Sequence, residues 1–322
     1  MSERLRPAAS TVRRLALASV VANAAIVVTG GAVRLTASGL GCPTWPRCTA
    51  TTLTPTAEYA AHGLIEFGNR LLTFALTAVV VAVLVAALRA RPRRRDLVRL
   101  AAVGVLGIPA QALLGGITVL TGLNPWTVMG HFLLSMVLIG AAVVLHQRAG
   151  EGDGPVRLTV PPVLRQLSYG LLALTAAVLA VGTIVTGSGP HSGDPAAGRT
   201  GLDPGAMSQL HADLVFLLVG ATLGLWAALR AAGALQAARA TLVLLGVELA
   251  QGLLGFAQYF THLPVLLVGL HLAGACLVLV AAVRVVLATR ERAALVTPAA
   301  APPLPRSAAP ILVTSAGTAT AR

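Results

Sequence analysis

The chain has 322 residues, 56% of them hydrophobic and 11% charged, with a formal net charge of +13. A soluble globular protein carries about 25% charged residues, so this composition excludes an ordinary soluble domain. All 24 basic side chains are arginine. They gather in loops without interleaved aromatic residues, which excludes a nucleic-acid surface and assigns the charge to orientation in an anionic lipid bilayer.

Residues 1–14 carry Arg4, Arg6, Arg13 and Arg14 and are expected to form a cytoplasmic N-terminus. The first apolar span, 15–33, is too long for the h-region of a signal peptide and is expected to stay in the chain. It ends in Val28-Thr29-Gly30, and an external loop follows in which Cys42 and Cys48 bracket Pro-Thr-Trp-Pro-Arg. Thiols outside the cytoplasm face an oxidising compartment, so a structural disulfide is expected. Spans 63–88, 100–120 and 128–145 complete an N-terminal four-helix half, 15–148. A Gly- and Pro-containing cytoplasmic linker, 149–164, leads to spans 167–186, 210–229, 241–259 and 265–287 of a C-terminal half, 165–290. Residues 291–322, rich in Ala, Pro, Ser and Thr from about Thr297, are expected to be a disordered cytoplasmic tail.

Arginines crowd the N-terminus, the loops after spans two, four and six, and the end of span eight. The opposite loops hold Arg34, Arg47 and Arg199. This distribution predicts a multi-pass protein of the cell membrane with both termini cytoplasmic. Continuous apolar runs exclude an outer-membrane β-barrel.

A duplication is written into the sequence. Gln111, Leu114, Gly115, Thr121, Leu123 and His131 recur as Gln251, Leu254, Gly255, Thr261, Leu263 and His271, each offset by 140 residues. An even number of spans per half gives both halves one orientation. The predicted fold is therefore all-α and integral to the membrane: about eight transmembrane helices as two parallel-repeat four-helix bundles.

An ionisable group inside a span costs about 2.5–3.5 kcal/mol on the insertion scale, and function is its default reading. His131, His211 and His271 all fall in the outer parts of even-numbered spans. His211 and His271 belong to one half. Two facing imidazoles with no cluster of Cys or carboxylates suit axial ligation of a haem better than zinc, which wants three or four ligands. In the first half the counterpart of His211 by spacing is Asn69, with His62, Glu66 and Asn69 along one helical face. Glu66 reads either as a catalytic acid or as the i, i+4 partner of Arg70. His62 reads as a second imidazole or as an interfacial loop residue. Asp213 and Glu248 receive no catalytic role. Cys276 reads as a small packing residue, and His146, His191 and His262 as loop or helix-end residues.

Several stretches resemble the haem A synthase family: Val28-Thr29-Gly30-Gly31-Ala32-Val33-Arg34-Leu35-Thr36, Ser38-Gly39-Leu40-Gly41-Cys42-Pro43, Trp45-Pro46, Ile65-Glu66-Phe67-Gly68-Asn69-Arg70, and the stretches from Gln111 to His131 and from Gln251 to His271, with His211. The resemblance reaches to about Leu287. It implies an eight-span duplicated enzyme that oxidises the C8 methyl group of haem O to a formyl group, giving haem A for terminal oxidases. It implies haem b as cofactor between His211 and His271, and substrate haem O in the first half with His131 as ligand and Glu66 as catalytic acid. Partners would be haem O itself, a haem O synthase and an electron-transfer protein. One departure stands out. The family pattern is Glu-x-x-His-Arg, and here Asn69 replaces the histidine. Either His62 takes its place as ligand, or His131 alone ligates the substrate iron.

Two other function classes remain on the sequence. A diheme b-type electron-transfer cytochrome would use the same histidines without needing Glu66. A transporter would want helix breaks at matching places in the repeats, and Pro109 in span three has no counterpart in span seven.

Overall fold

The computed structural model describes residues 9–292. Eight helices follow one another: α1 (Ala9–Leu35), α2 (Ala60–Arg89), α3 (Arg95–Leu120), α4 (Pro125–Ala149), α5 (Pro162–Ser188), α6 (Pro204–Ala231), α7 (Leu235–Phe260) and α8 (Val265–Ala288). Each is long and apolar enough to cross a membrane. Their outward faces are apolar as well: Phe74, Leu106, Leu253 and Phe260 are each 70–74% exposed, an arrangement that suits lipid and not water.

The helix ends are set by local chemistry. Asn124 accepts from Trp126 N at 3.0 Å and Asp203 accepts from Ala206 N at 2.6 Å, capping α4 and α6, and Pro125 and Pro204 occupy the first turn. The α3–α4 and α7–α8 connections are built alike. Thr121 and Thr261 return their hydroxyls to Ile117 O and Ala257 O. The N–H groups of Leu123 and Leu263 then close back onto Thr118 O and Gln258 O at 2.9 and 2.7 Å. Both turns need two successive left-handed residues, Gly122 and Leu123 in one, His262 and Leu263 in the other. Helix α3 runs through Pro109 without a break.

In each half the helices pack around a ring, α1–α2–α3–α4 and α5–α6–α7–α8, while the diagonal pairs α2/α4 and α6/α8 make no substantial contact. The rings meet through α1, α4, α5 and α8, and Val20, Val27, Ile139, Leu179, Leu279 and Val283 fill that seam. One end of the molecule carries Ala9 and Arg292, the limits of the described residues, and the other carries the loops after α1, α3, α5 and α7. We call these the terminus end and the disulfide end.

The terminus end departs from the expected domain limits. The linker is not structureless: Val156–Leu158 (β1) pairs antiparallel with Arg290–Arg292 (β2), so the limit drawn at 291 falls inside a strand. Charge explains why the chain is held there. Buried Arg148 binds both Asp96 and Glu151, and Glu151 also lies 3.6 Å from Arg290 and 3.9 Å from Arg292. Burial pulls the Arg290 pKa below its ordinary value, against the opposing pull of Glu151. Helix α1 begins at Ala9 and so takes in Arg13 and Arg14 of the expected cytoplasmic N-terminus. The remainder of the expected tail, from 293, and residues 1–8 lie outside the described residues.

Candidate functional site

Each of three histidines rests against a glycine of the preceding helix. A methyl group at Gly115 of α3 would stand 3.1 Å from Cε1 of His131 on α4. One at Gly182 of α5 would stand 3.0 Å from Cε1 of His211 on α6, and one at Gly255 of α7 would stand 3.5 Å from Cε1 of His271 on α8. Glycine lets the imidazole edge approach the neighbouring helix backbone. The same relation occurs a fourth time, between α1 and α2, where a methyl at Gly30 would lie 3.8 Å from Asn69 Nδ2. The four helix hairpins thus present His131, His211, His271 and Asn69 in one kind of cradle.

His131 and His271 are the seventh residues of their helices and His211 the eighth. All three therefore sit at one depth, about 10 Å of helix rise from the disulfide end. His211 and His271 stand on α6 and α8, a diagonal pair of the second ring. In all three, Nδ1 is buried without a hydrogen-bond partner.

The packing around them changes along the helices. The fully buried residues of α6 begin at Leu218, those of α7 end at Glu248, those of α8 begin at Gly274 and those of α4 begin at Met136. Along α4, α6, α7 and α8 the buried residues thus lie on the terminus-end side of the histidines. With α6 and α8 on a diagonal, this suits a large planar group with one imidazole on each side. Among the described residues no three His, Cys, Asp or Glu side chains form a metal-binding group. The residues of the second half fit haem ligation.

Two glutamines reach across beside the histidines. Gln111 Nε2 donates to His131 O at 3.2 Å and to Ser135 Oγ at 2.6 Å, and Gln251 packs directly against Gly274 on α8. Both brace a histidine-bearing helix.

The first half adds a polar network that the second lacks. Buried Glu66 accepts from Arg70 at 2.6 Å and from Cys42 N at 2.7 Å. Arg70 also donates to the carbonyls of Cys42, Thr44 and Arg47 at 2.9, 3.1 and 3.3 Å. Cys42 and Cys48 form the expected disulfide. The loop they close lays Trp45 on Gly116, one residue from the glycine behind His131. Glu66 is therefore the hinge between loop, disulfide and helix α2.

The structure does not bring His62 to Asn69. His62 is exposed at the disulfide end, and its Nδ1 is hydrogen-bonded to Ser38 Oγ at 2.9 Å. His146 bonds Arg13 O at the other end, and His191 bonds Leu263 O. Asp213 is exposed and accepts from Gln209. Glu248 is buried, with Thr222 Oγ1 donating to Oε1 at 2.9 Å and Oε2 without a partner, and Cys276 is buried at the seam between the rings. Sequence reasoning missed the glycine cradles and Arg34. Gly115 and Gly255 lay inside the repeat, but nothing marked Gly30 or Gly182 as facing a polar side chain. Arg34 donates to His191 O and Thr186 O, and Gly39 N to Gly193 O, tying the two halves together at the disulfide end.

A family of cytochrome oxidase assembly proteins, COX15-CtaA, matches residues 13–190, more than half of the chain. The chain belongs to this family. With its eight apolar helices, this COX15-CtaA member is a multi-pass membrane protein. The matched stretch runs from α1 through α5 and includes Cys42, Cys48, Glu66, Asn69 and His131. His211 and His271 lie beyond it. The chain is 30% identical over 162 residues to the "Heme A synthase" of Exiguobacterium sibiricum, covering 50% of this chain and 54% of that protein. It is 31% identical over 165 residues to that of Listeria monocytogenes serovar 1/2a, with 50% and 54% covered. It is 30% identical over 181 residues to that of Symbiobacterium thermophilum, with 54% and 58% covered. The chain spans about half the length of the curated relatives it matches.

Proposed function

We propose that this protein is a haem A synthase, an oxidoreductase that converts the C8 methyl group of haem O to a formyl group. The net change is R–CH3 + H2O → R–CHO + 4H⁺ + 4e⁻, as two successive two-electron oxidations. The observation that carries the reading is the asymmetry of the halves. A paired-imidazole cradle stands in one, and a single-imidazole cradle roofed by Glu66, Arg70 and the disulfide loop stands in the other. The first half, 15–148, takes substrate haem O, with His131 toward its iron. In the second half, 165–290, His211 and His271 would hold haem b, which would supply one-electron redox chemistry there.

The chain's own residues do the rest. Glu66 places a carboxylate at the substrate half, fixed in orientation by Arg70 and Cys42 N–H. There it stabilises positive charge developing at the methyl carbon, or positions the attacking water. The Trp45 loop covers Gly116 beside His131 and limits access of bulk water. The arginine-rich terminus end faces the cytoplasm of the cell membrane by the positive-inside rule, which places the site toward the outer face.

The test is extraction of haems from the full chain co-expressed with a haem O synthase. Haem A, or its hydroxylated intermediate, is expected beside haem b. In Glu66→Gln both oxidised products fall at least tenfold while haem b stays. Haem b alone from intact protein supplied with haem O would sink the proposal and leave an electron-transfer cytochrome.

A further inference from the structure

Four hairpins set a glycine of one helix against a polar side chain of the next, where a methyl on the glycine would stand 3.0 to 3.8 Å from it, and in three of them that side chain is an imidazole. The fourth holds Asn69. Its amide oxygen is engaged, since Thr29 Oγ1 donates to Asn69 Oδ1 at 2.7 Å. The group left free is the amide nitrogen, beside Gly30. A carboxamide NH2 carries hydrogens and no available lone pair, so it donates and does not ligate.

No other imidazole can replace it. His62 lies seven residues earlier on α2, about 10 Å of helix rise away, exposed and bound to Ser38. His146 is at the terminus end against Arg13 O.

From this we infer that in the first half His131 alone would ligate a haem iron, and that Asn69, oriented by Thr29, would donate a hydrogen bond to a small ligand on that iron. The ligand class is a diatomic or hydroxide with an acceptor atom: oxygen, carbon monoxide, cyanide or hydroxide. The second-half site, with His211 and His271, is closed to such ligands. Asn69 is a positioning residue for that ligand, and Thr29 acts through it. The inference rests on the proposal that the first half holds a haem.

Carbon monoxide titration of the reduced, detergent-purified full chain tests it, with haem content measured on the same sample. The expected result is one CO bound for every two haems. Asn69→His should supply the missing imidazole, turn the second haem low-spin and lower CO binding at least tenfold. Asn69→Leu should keep CO binding but weaken cyanide binding to the oxidised protein about three- to tenfold, the worth of one hydrogen bond, and shift the CO stretch. Thr29→Val should move the stretch in the same direction by less. His62→Ala should leave the CO stoichiometry unchanged. A first-half haem that is six-coordinate and takes no CO overturns the inference alone. So does an Asn69→Leu protein with unchanged CO stretch and cyanide affinity. Haem found only between His211 and His271, with haem O supplied, overturns both the inference and the proposed function.

Discussion

In the second half, two histidines stand on opposite helices of a ring of four, and the loop above them is tied by Arg34 and His191 without a carboxylate–arginine pair. In the first half the same ring carries one histidine and an asparagine, with an ion pair and a cross-linked loop above. The residues that stand to His211 as Glu66 and Arg70 stand to Asn69 are Ser208 and Ala212. Ser208 only returns its hydroxyl to Pro204 O. The loop after α5 has no cysteine. The difference teaches that the helix hairpin with its glycine cradle is the shared scaffold, and that chemistry is decided by what a half adds to it. A half that grips a large group from both sides suits permanent retention. A half that grips from one side and roofs the site with a charged loop suits a group that must be altered and released.

The sharpest break of that comparison removes a histidine from each half in turn. His211→Ala or His271→Ala should cost the second-half haem at least tenfold in occupancy, because a buried ligand is lost and no other imidazole is within reach. His131→Ala should leave that haem in place and abolish haem O retention. Pyridine haemochrome analysis with chromatography of the extracted haems separates the two. If His131→Ala emptied both halves equally, the halves would not be independent sites.

A finer test uses the cradles. Alanine at Gly182 or Gly115 would set a methyl 3.0 or 3.1 Å from an imidazole carbon, tighter than ordinary contact, whereas at Gly255 the distance is 3.5 Å. The ring must turn or the helices must part in the first two cases. Gly182→Ala should therefore lower second-half occupancy several-fold, and Gly115→Ala should do the same in the first half only. Gly255→Ala should change little. Equal losses for all three would mean that the cradles matter through helix propensity or folding and not through imidazole placement.

Much of this fold was legible because a membrane imposes few solutions. Eight apolar runs became eight helices. The helices overran the runs at their polar ends, as at Arg95 of α3 and Ala9 of α1, because backbone hydrogen bonding does not stop where lipid stops. The β1–β2 ribbon was not legible: three residues of linker and three after α8 carry no period, and the Arg148–Glu151 knot beside them joins residues distant in sequence. At the site, repetition exposed His131 and His271, and the spacing of His211 exposed its partner. The helical face shared by His62 and Asn69 was real as geometry but silent on the loop, and Ser38 from that loop claims the His62 ring. Of the two readings of Glu66, the structure shows the pairing with Arg70, and the catalytic reading belongs to the proposed function.

The smallest effect concerns the disulfide, and it asks whether the roof of the first half depends on a covalent bond. Cys42 and Cys48 are separated by 6 positions, and closing so short a loop constrains the unfolded chain by only about 2 kcal/mol. The Cys42 backbone is meanwhile held by Glu66 on one side and Arg70 on the other, and Trp45 is seated on Gly116. Cys42→Ser with Cys48→Ser should therefore lower the Tm by a few degrees, leave second-half haem unchanged and reduce haem A formation only a few-fold. Thermal unfolding with and without reductant, alongside haem analysis, checks this. A complete loss of haem A in the double variant, with haem O still bound, would show that the disulfide and not the ion pair holds the roof. The contrast between the halves would then reside in their cysteines. Retention of most activity assigns it to Glu66 and Arg70, whose removal by Arg70→Ala takes away the three loop carbonyl contacts and the partner of Glu66 together.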